Sequence, residues 1–260
     1  MPFNGDDGKV LLKGFCVLLM AGVLSAGASA DQLRIAVASN FKLAMNSLVD
    51  RFEQQTDHDV VVSYGSSGKL YAQIQNGAPF DIFFSADSER PQKLVSDGRG
   101  SGDSLMTYAL GQLVLWSPNK VGEQDLSKVL QGEDVAHIAI ANPKLAPYGR
   151  AAQQVLEHFQ LWFSLQDKLV RGENINQTFL FVRSTNAELA FVALAQVKNL
   201  TLENRGTVWQ IPKDTYQPIE QQALILNRTD ASDAFWQFLQ TSESRQMILD
   251  LGYRLPPATP

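Results

Sequence analysis

The sequence is poor in the residues that most often do chemistry: it has one cysteine, Cys16, and three histidines in 260 residues. A lone thiol forms no intramolecular disulfide, so the fold must stand on its hydrophobic core, which a chain of this length can build. His58, His137 and His158 form no H-x-x-x-H or similar ligand spacing, which leaves no sequence signal for a zinc site. Cationic side chains are also thin. Lys and Arg number 22 against 27 Asp and Glu, for a net charge of -5, and they gather in no basic stripe. A nucleic-acid backbone needs such a stripe, so nucleic acid is not an expected partner. Neither a fixed-period repeat nor a low-complexity tract is present.

The beginning of the chain differs from the rest. Lys9 and Lys13 precede an apolar run from Gly14 to Leu24, and Ala28-Ser29-Ala30 follows. That run is shorter than the roughly 20 residues that cross a bilayer, and the order of basic, apolar and small residues is that of a signal peptide. Residues 1–30 are therefore read as a cleaved leader that carries the chain to the periplasm and removes Cys16 with it.

From Asp31 onward, short β-rich runs alternate with helical patterns, the signature of βαβ units. Leu33 to Ala38, Val60 to Tyr64 and Phe80 to Ser85 read as strands. The segments around Phe41 to Phe52, Leu70 to Ile74 and Ser88 to Val95 read as helices. A second series follows, with strands over Gly111 to Ser117 and Ala136 to Ala141 and a helix over Arg150 to Phe159. Phe179 to Val182 is read as extended and Glu188 to Val197 as an apolar helix. Val208 to Pro212 and Gln221 to Leu226 are extended, and helices over Ser232 to Gln240 and Glu243 to Leu251 close the chain. The predicted class is α/β in two lobes, each a mostly parallel sheet flanked by helices. Residues 31–112 with 220–260 form lobe I, and 113–219 form lobe II. A single larger doubly wound sheet is the competing arrangement.

Ligands of open α/β sheets collect where strands end and helices begin, because free N–H groups and positive helix ends point there. Two such junctions carry a signal. Ala38-Ser39-Asn40 joins the first strand to its helix, where Ser39 or Asn40 could equally serve as a plain N-cap. Tyr64-Gly65-Ser66-Ser67-Gly68-Lys69 joins the second pair; its glycines allow close backbone approach and its serines add donors. The spacing is neither that of a G-x-x-x-x-G-K-[ST] phosphate loop nor that of a G-x-S-x-G nucleophile elbow. Donors without an evident nucleophile and base fit holding a ligand better than transforming it, so no enzymatic activity is expected.

Four segments carry a specific resemblance: Ile35-Ala36-Val37-Ala38-Ser39-Asn40-Phe41, Gly65-Ser66-Ser67-Gly68-Lys69-Leu70, Gly77 through Asp87, and Pro147-Tyr148-Gly149-Arg150-Ala151. Together they resemble the periplasmic molybdate-binding proteins of ABC transporters, over essentially all of the chain after the leader. The resemblance implies a class II periplasmic-binding-protein fold with the oxyanion held between two lobes. It also implies a ligand set: Ser39 and Ser67 from lobe I with Asn40 beside them, Tyr148 through its N–H and hydroxyl, and Ile175 through its N–H. Some members place a binding tyrosine after a small-apolar-apolar run; here Ala190-Phe191-Val192-Ala193 has alanine there, and Tyr148 takes that role.

The implied ligand is molybdate, with tungstate its near equivalent, and the implied partner an inner-membrane ABC permease. No cofactor is expected, since molybdenum would enter only as the oxyanion; a monomer is expected. Lys69 and Arg150 are read as solvated surface cations. Three alternatives stay open at this point: a receptor of the same fold for sulfate, phosphate or another solute, an exported serine hydrolase using Ser67, and a structural protein with an empty cleft.

Overall fold

A computed structural model describes residues 32–257. The expected leader, residues 1–30 with Cys16, lies outside the described residues. The chain begins β1 (Leu33–Ala38), α1 (Lys42–Gln55), β2 (Val60–Gly65), α2 (Ser67–Gln75), β3 (Ile82–Phe84), α3 (Glu89–Ser96) and β4 (Met106–Gly111). It continues with β5 (Leu113–Ser117), α4 (Leu126–Leu130), β6 (Ile138–Ala141), α5 (Pro147–His158), β7 (Leu169–Gly172), α6 (Ile175–Arg183), β8 (Leu189–Ala193), α7 (Leu194–Val197), α8 (Leu202–Arg205) and β9 (Thr207–Gln210). It ends with β10 (Ile219–Ile225), α9 (Asp230–Leu239) and α10 (Ser242–Asp250).

These strands make two five-stranded sheets with the same internal plan. Their orders are β2-β1-β3-β10-β4 and β7-β6-β8-β5-β9. In each, three neighbouring strands run parallel and two further pairings are antiparallel, so both sheets are mixed. The chain leaves the first sheet at Gln112, between β4 and β5, and returns to it between β9 and β10.

Burial explains the strand patterns. β1 is an interior strand between β2 and β3, and Leu33, Ile35, Ala36, Val37 and Ala38 are all buried, because helices cover both faces of the sheet. On one face lie Phe41, Met45, Leu48 and Phe52 of the α1 region with Phe235 of α9; on the other lie Leu70 and Ile74 of α2 with Leu94 of α3. The second sheet is covered likewise, by Ala152, Val155 and Leu156 of α5 on one side and Val182 of α6 on the other.

The structure corrects two readings in lobe II. Phe179 to Val182 is not extended but belongs to α6, whose start is capped by the Asn174 side chain accepting from the N–H groups of Asn176 and Gln177. Ile175, Thr178 and Val182, spaced three and four apart, form its buried face. Conversely, half of the expected helix from Glu188 to Val197 is strand β8, wholly buried between β5 and β6, and only Leu194–Val197 is helical, as α7. A strand buried on both faces reads as a continuous apolar run, which periodicity cannot tell from a buried helix. The expected strand from Gly111 to Ser117 is also divided, since Gly111 ends β4 in one sheet and Leu113 begins β5 in the other.

Candidate functional site

Four helix beginnings meet between the two sheets. The turn Ser39–Phe41 follows β1, α2 follows β2, α5 follows β6, and α6 follows β7. Each leaves its first N–H groups without intrahelical acceptors and carries the positive end of its dipole there. The local sequences arrange this. Ser66 caps α2, accepting from Lys69 N–H at 3.4 Å, which frees Ser67 from capping. Pro147 opens α5 with no N–H to offer, so Tyr148 supplies that helix's first donor. Asn174 caps α6 and leaves Ile175 at its first position.

A cavity at this meeting point is lined by all of Ser39, Asn40, Ser67, Tyr148 and Ile175. Those residues come from both sheets' junctions, and each is at most 6% exposed. The remaining lining is Ala38, Gly65, Ser66, Ala86, Ala146 and Pro147, so no charged side chain faces the cavity. Its volume is about 10 Å³, room for about one water molecule and far below the roughly 300–1,000 Å³ typical of pockets for drug-sized molecules. None of His58, His137 and His158 lines it, so Ser67 has no imidazole beside it to act as a base.

The hydrogen bonds show how each side chain is prepared. Ser67 Oγ accepts from Ala86 N–H at 2.9 Å, which leaves its own proton to donate. Ser39 is not a cap, as its position had allowed: its Oγ reaches across to donate to Asn174 Oδ1 at 3.1 Å, joining the β1 loop to the start of α6. Asn40 has both side-chain hydrogens engaged, toward Gln221 Oε1 at 2.7 Å and Tyr253 Oη at 3.3 Å. Any further donation by Asn40 therefore falls to its main chain.

Other contacts fasten the two lobes around this space. Gly68 N–H donates to Leu145 O at 2.9 Å, and a Cβ at Gly68 would sit 3.0 Å from that same oxygen. Lys69 pairs with Glu173 at 2.6 Å, and Arg150 with Glu89 at 3.0 Å and Asp87 at 3.7 Å. The two expected surface cations are thus about half exposed and outside the cavity lining, and they clasp its rim. Arg150 holds the Glu89 carboxyl below its ordinary range, chiefly through their hydrogen bond. Such exposed pairs contribute about 0.2–1 kcal/mol each, too little to set the affinity of the site.

Sequence reasoning missed the polar cluster behind the cavity. Gln221, fully buried on β10, accepts from Asn40 and from Tyr108 Oη at 3.1 Å, and donates to Tyr148 Oη at 3.4 Å. Tyr253 Oη donates to Asn40 O at 2.7 Å. Phe41 locks this cluster in place, with its ring edge-to-face against Tyr108 at 4.7 Å and Tyr253 at 5.1 Å. Burial pushes the Tyr108, Tyr148 and Tyr253 hydroxyls well above their usual value of 10.0, with neighbouring tyrosines adding to it for Tyr108 and Tyr148. All three stay neutral and protonated at any physiological pH. One signal could have exposed Gln221. Strand alternation puts it on the same buried face as Ile219 and Ala223, where a polar side chain must have a partner.

The family model for bacterial extracellular solute-binding proteins matches residues 33–254. The chain belongs to that family. Among curated relatives in this solute-binding family, the molybdate-binding protein ModA of Azotobacter vinelandii is 42% identical over 247 residues, covering 94% of this chain and 98% of that protein. The ModA protein of Rhodobacter capsulatus is 39% identical over 249 residues, covering 94% and 97%. The solved periplasmic molybdate-binding protein of Azotobacter vinelandii superposes with a TM-score of 0.81 at 41% identity, covering 86% of this chain and all of that one. The two-lobed fold of the solute-binding family is thus shared with a relative that is a binding protein.

Proposed function

We propose that this protein is a periplasmic receptor that captures molybdate between its lobes and delivers it to an ABC importer in the inner membrane. It acts as a monomer without a cofactor or catalytic step, after removal of residues 1–30. The observation that carries the reading is the charge-free cavity at four helix beginnings. A buried dianion must have its lost hydration replaced, and here uncharged donors fixed by the fold take that part. Hydrogen bonds to a charged acceptor contribute about 1.5–3 kcal/mol each, so a handful offsets the costs of binding and sustains micromolar or tighter affinity, about -8 kcal/mol. The similarity to two molybdate-binding relatives supports the choice of ion.

Fixed donors select by the distances between an anion's oxygens. The larger tetrahedra of molybdate and tungstate should therefore bind at least tenfold tighter than sulfate. Titration calorimetry with the three anions at one ionic strength checks this. Sulfate binding as tightly as molybdate would reassign the protein to another solute of the same fold. Hydrolysis of a chromogenic ester, lost on Ser67→Ala, would reassign it to an enzyme.

A further inference from the structure

The cluster behind the cavity has a defined sense of donation, and it runs in one direction. Tyr253 Oη gives its proton to Asn40 O, so toward the Asn40 side chain it can only accept. The Asn40 side chain must therefore present its N–H groups, and the atom of Gln221 that faces them must be Oε1. Gln221 then turns Nε2 toward Tyr148 Oη. A hydroxyl that accepts from an amide keeps its own proton for another partner, and among the described residues Tyr148 O–H has no protein acceptor. Tyr148 is 1% exposed and is one of the residues that line the cavity, so its hydroxyl is a buried donor carried by a lining residue.

We propose that Gln221 is a positioning residue for anion capture: by donating to Tyr148 Oη it fixes that hydroxyl as a donor toward the bound oxyanion. The inference rests on the receptor reading above and deepens it, because it assigns a role to a residue that does not line the cavity. Gly111 completes the arrangement. A Cβ there would stand 2.3 Å from Tyr148 Oη and 2.9 Å from Gln221 Nε2, so only glycine lets the two meet at the end of β4. Gly111 and Gln221 lie on the strands next to the two places where the chain changes sheets. The Tyr148 hydroxyl from the second lobe is thereby held against the connection between lobes.

The test is a double-mutant cycle on molybdate affinity, using Gln221→Met and Tyr148→Phe in the full chain. Gln221→Met should weaken binding about tenfold when Tyr148 is present and about twofold or less in the Tyr148→Phe background. A loss of equal size in both backgrounds would show a merely structural role and overturn the proposal, as would no loss in either. If Gln221→Met does not fold, the same cycle with the near-isosteric Gln221→Glu gives the same readout. Repulsion by its carboxylate acts in both backgrounds, whereas turning the Tyr148 proton away from the anion acts only where the hydroxyl exists. Failure of the unmodified protein to bind molybdate would instead overturn the receptor reading, and this inference with it.

Discussion

Ser67→Asp is expected to abolish molybdate binding while leaving a folded protein that melts higher than the empty wild type. Ser67 is 1% exposed at the first position of α2, in the cavity where four helix beginnings meet. A carboxylate there is an anion tethered to the chain, and it would take up the same N–H groups and favourable dipole ends that the oxyanion needs. It would also repel an incoming dianion. Two unit charges 4 Å apart interact by about 4 kcal/mol at an effective dielectric of 20, so the loss should exceed roughly a thousandfold. Calorimetry and thermal melting of the two ligand-free proteins read both effects. Molybdate affinity within tenfold of wild type would mean that the anion is held elsewhere.

Gly149→Ala should damage both the fold and the site. Gly149 lies in the first turn of α5, where an added Cβ would fall 2.2 Å from Ala141 O and 2.7 Å from Ala141 C. Both are backbone atoms of β6, next to the centre of its sheet, and neither can rotate away. Helix and strand would have to separate, at a cost of about 3 kcal/mol, the upper end of ordinary overpacking. For a protein of this size that corresponds to a fall in Tm of about 6–12 °C. The same displacement moves Tyr148, one residue earlier, so affinity should drop as well. Gly122→Ala is the control: nothing lies within 4 Å of its added Cβ, and its Tm should hardly change. Equal behaviour of the two variants would contradict the packing account.

Much of this site was legible because its residues are local. The Ser39-Asn40 turn and the Gly65 to Lys69 loop each lie within one strand-to-helix junction, where cap and glycine chemistry leave short, readable patterns. The errors came where burial erases pattern. In β8, Leu189-Ala190-Phe191-Val192-Ala193 is covered on both faces and carries no alternation to distinguish strand from helix. The Phe179-Leu180-Phe181-Val182 run hid inside α6 for the opposite reason: its aromatic and branched residues favour strands in isolation, and the Asn174 cap overrides them. Gln221 could not be paired with Asn40 by eye, since 181 residues separate them in sequence. Only the fold brings the return strand β10 beside the first loop.

The central claim is that uncharged groups alone surround the captured ion. Anomalous diffraction at the molybdenum edge from crystals of the molybdate complex tests it most directly. The account predicts one peak between the lobes, with oxygens about 3 Å from donors of Ser39, Ser67, Tyr148 and Ile175 and no Lys, Arg or His nitrogen at that distance. A peak at the rim against Lys69 or Arg150, or an ion ligated by a charged side chain, would contradict it.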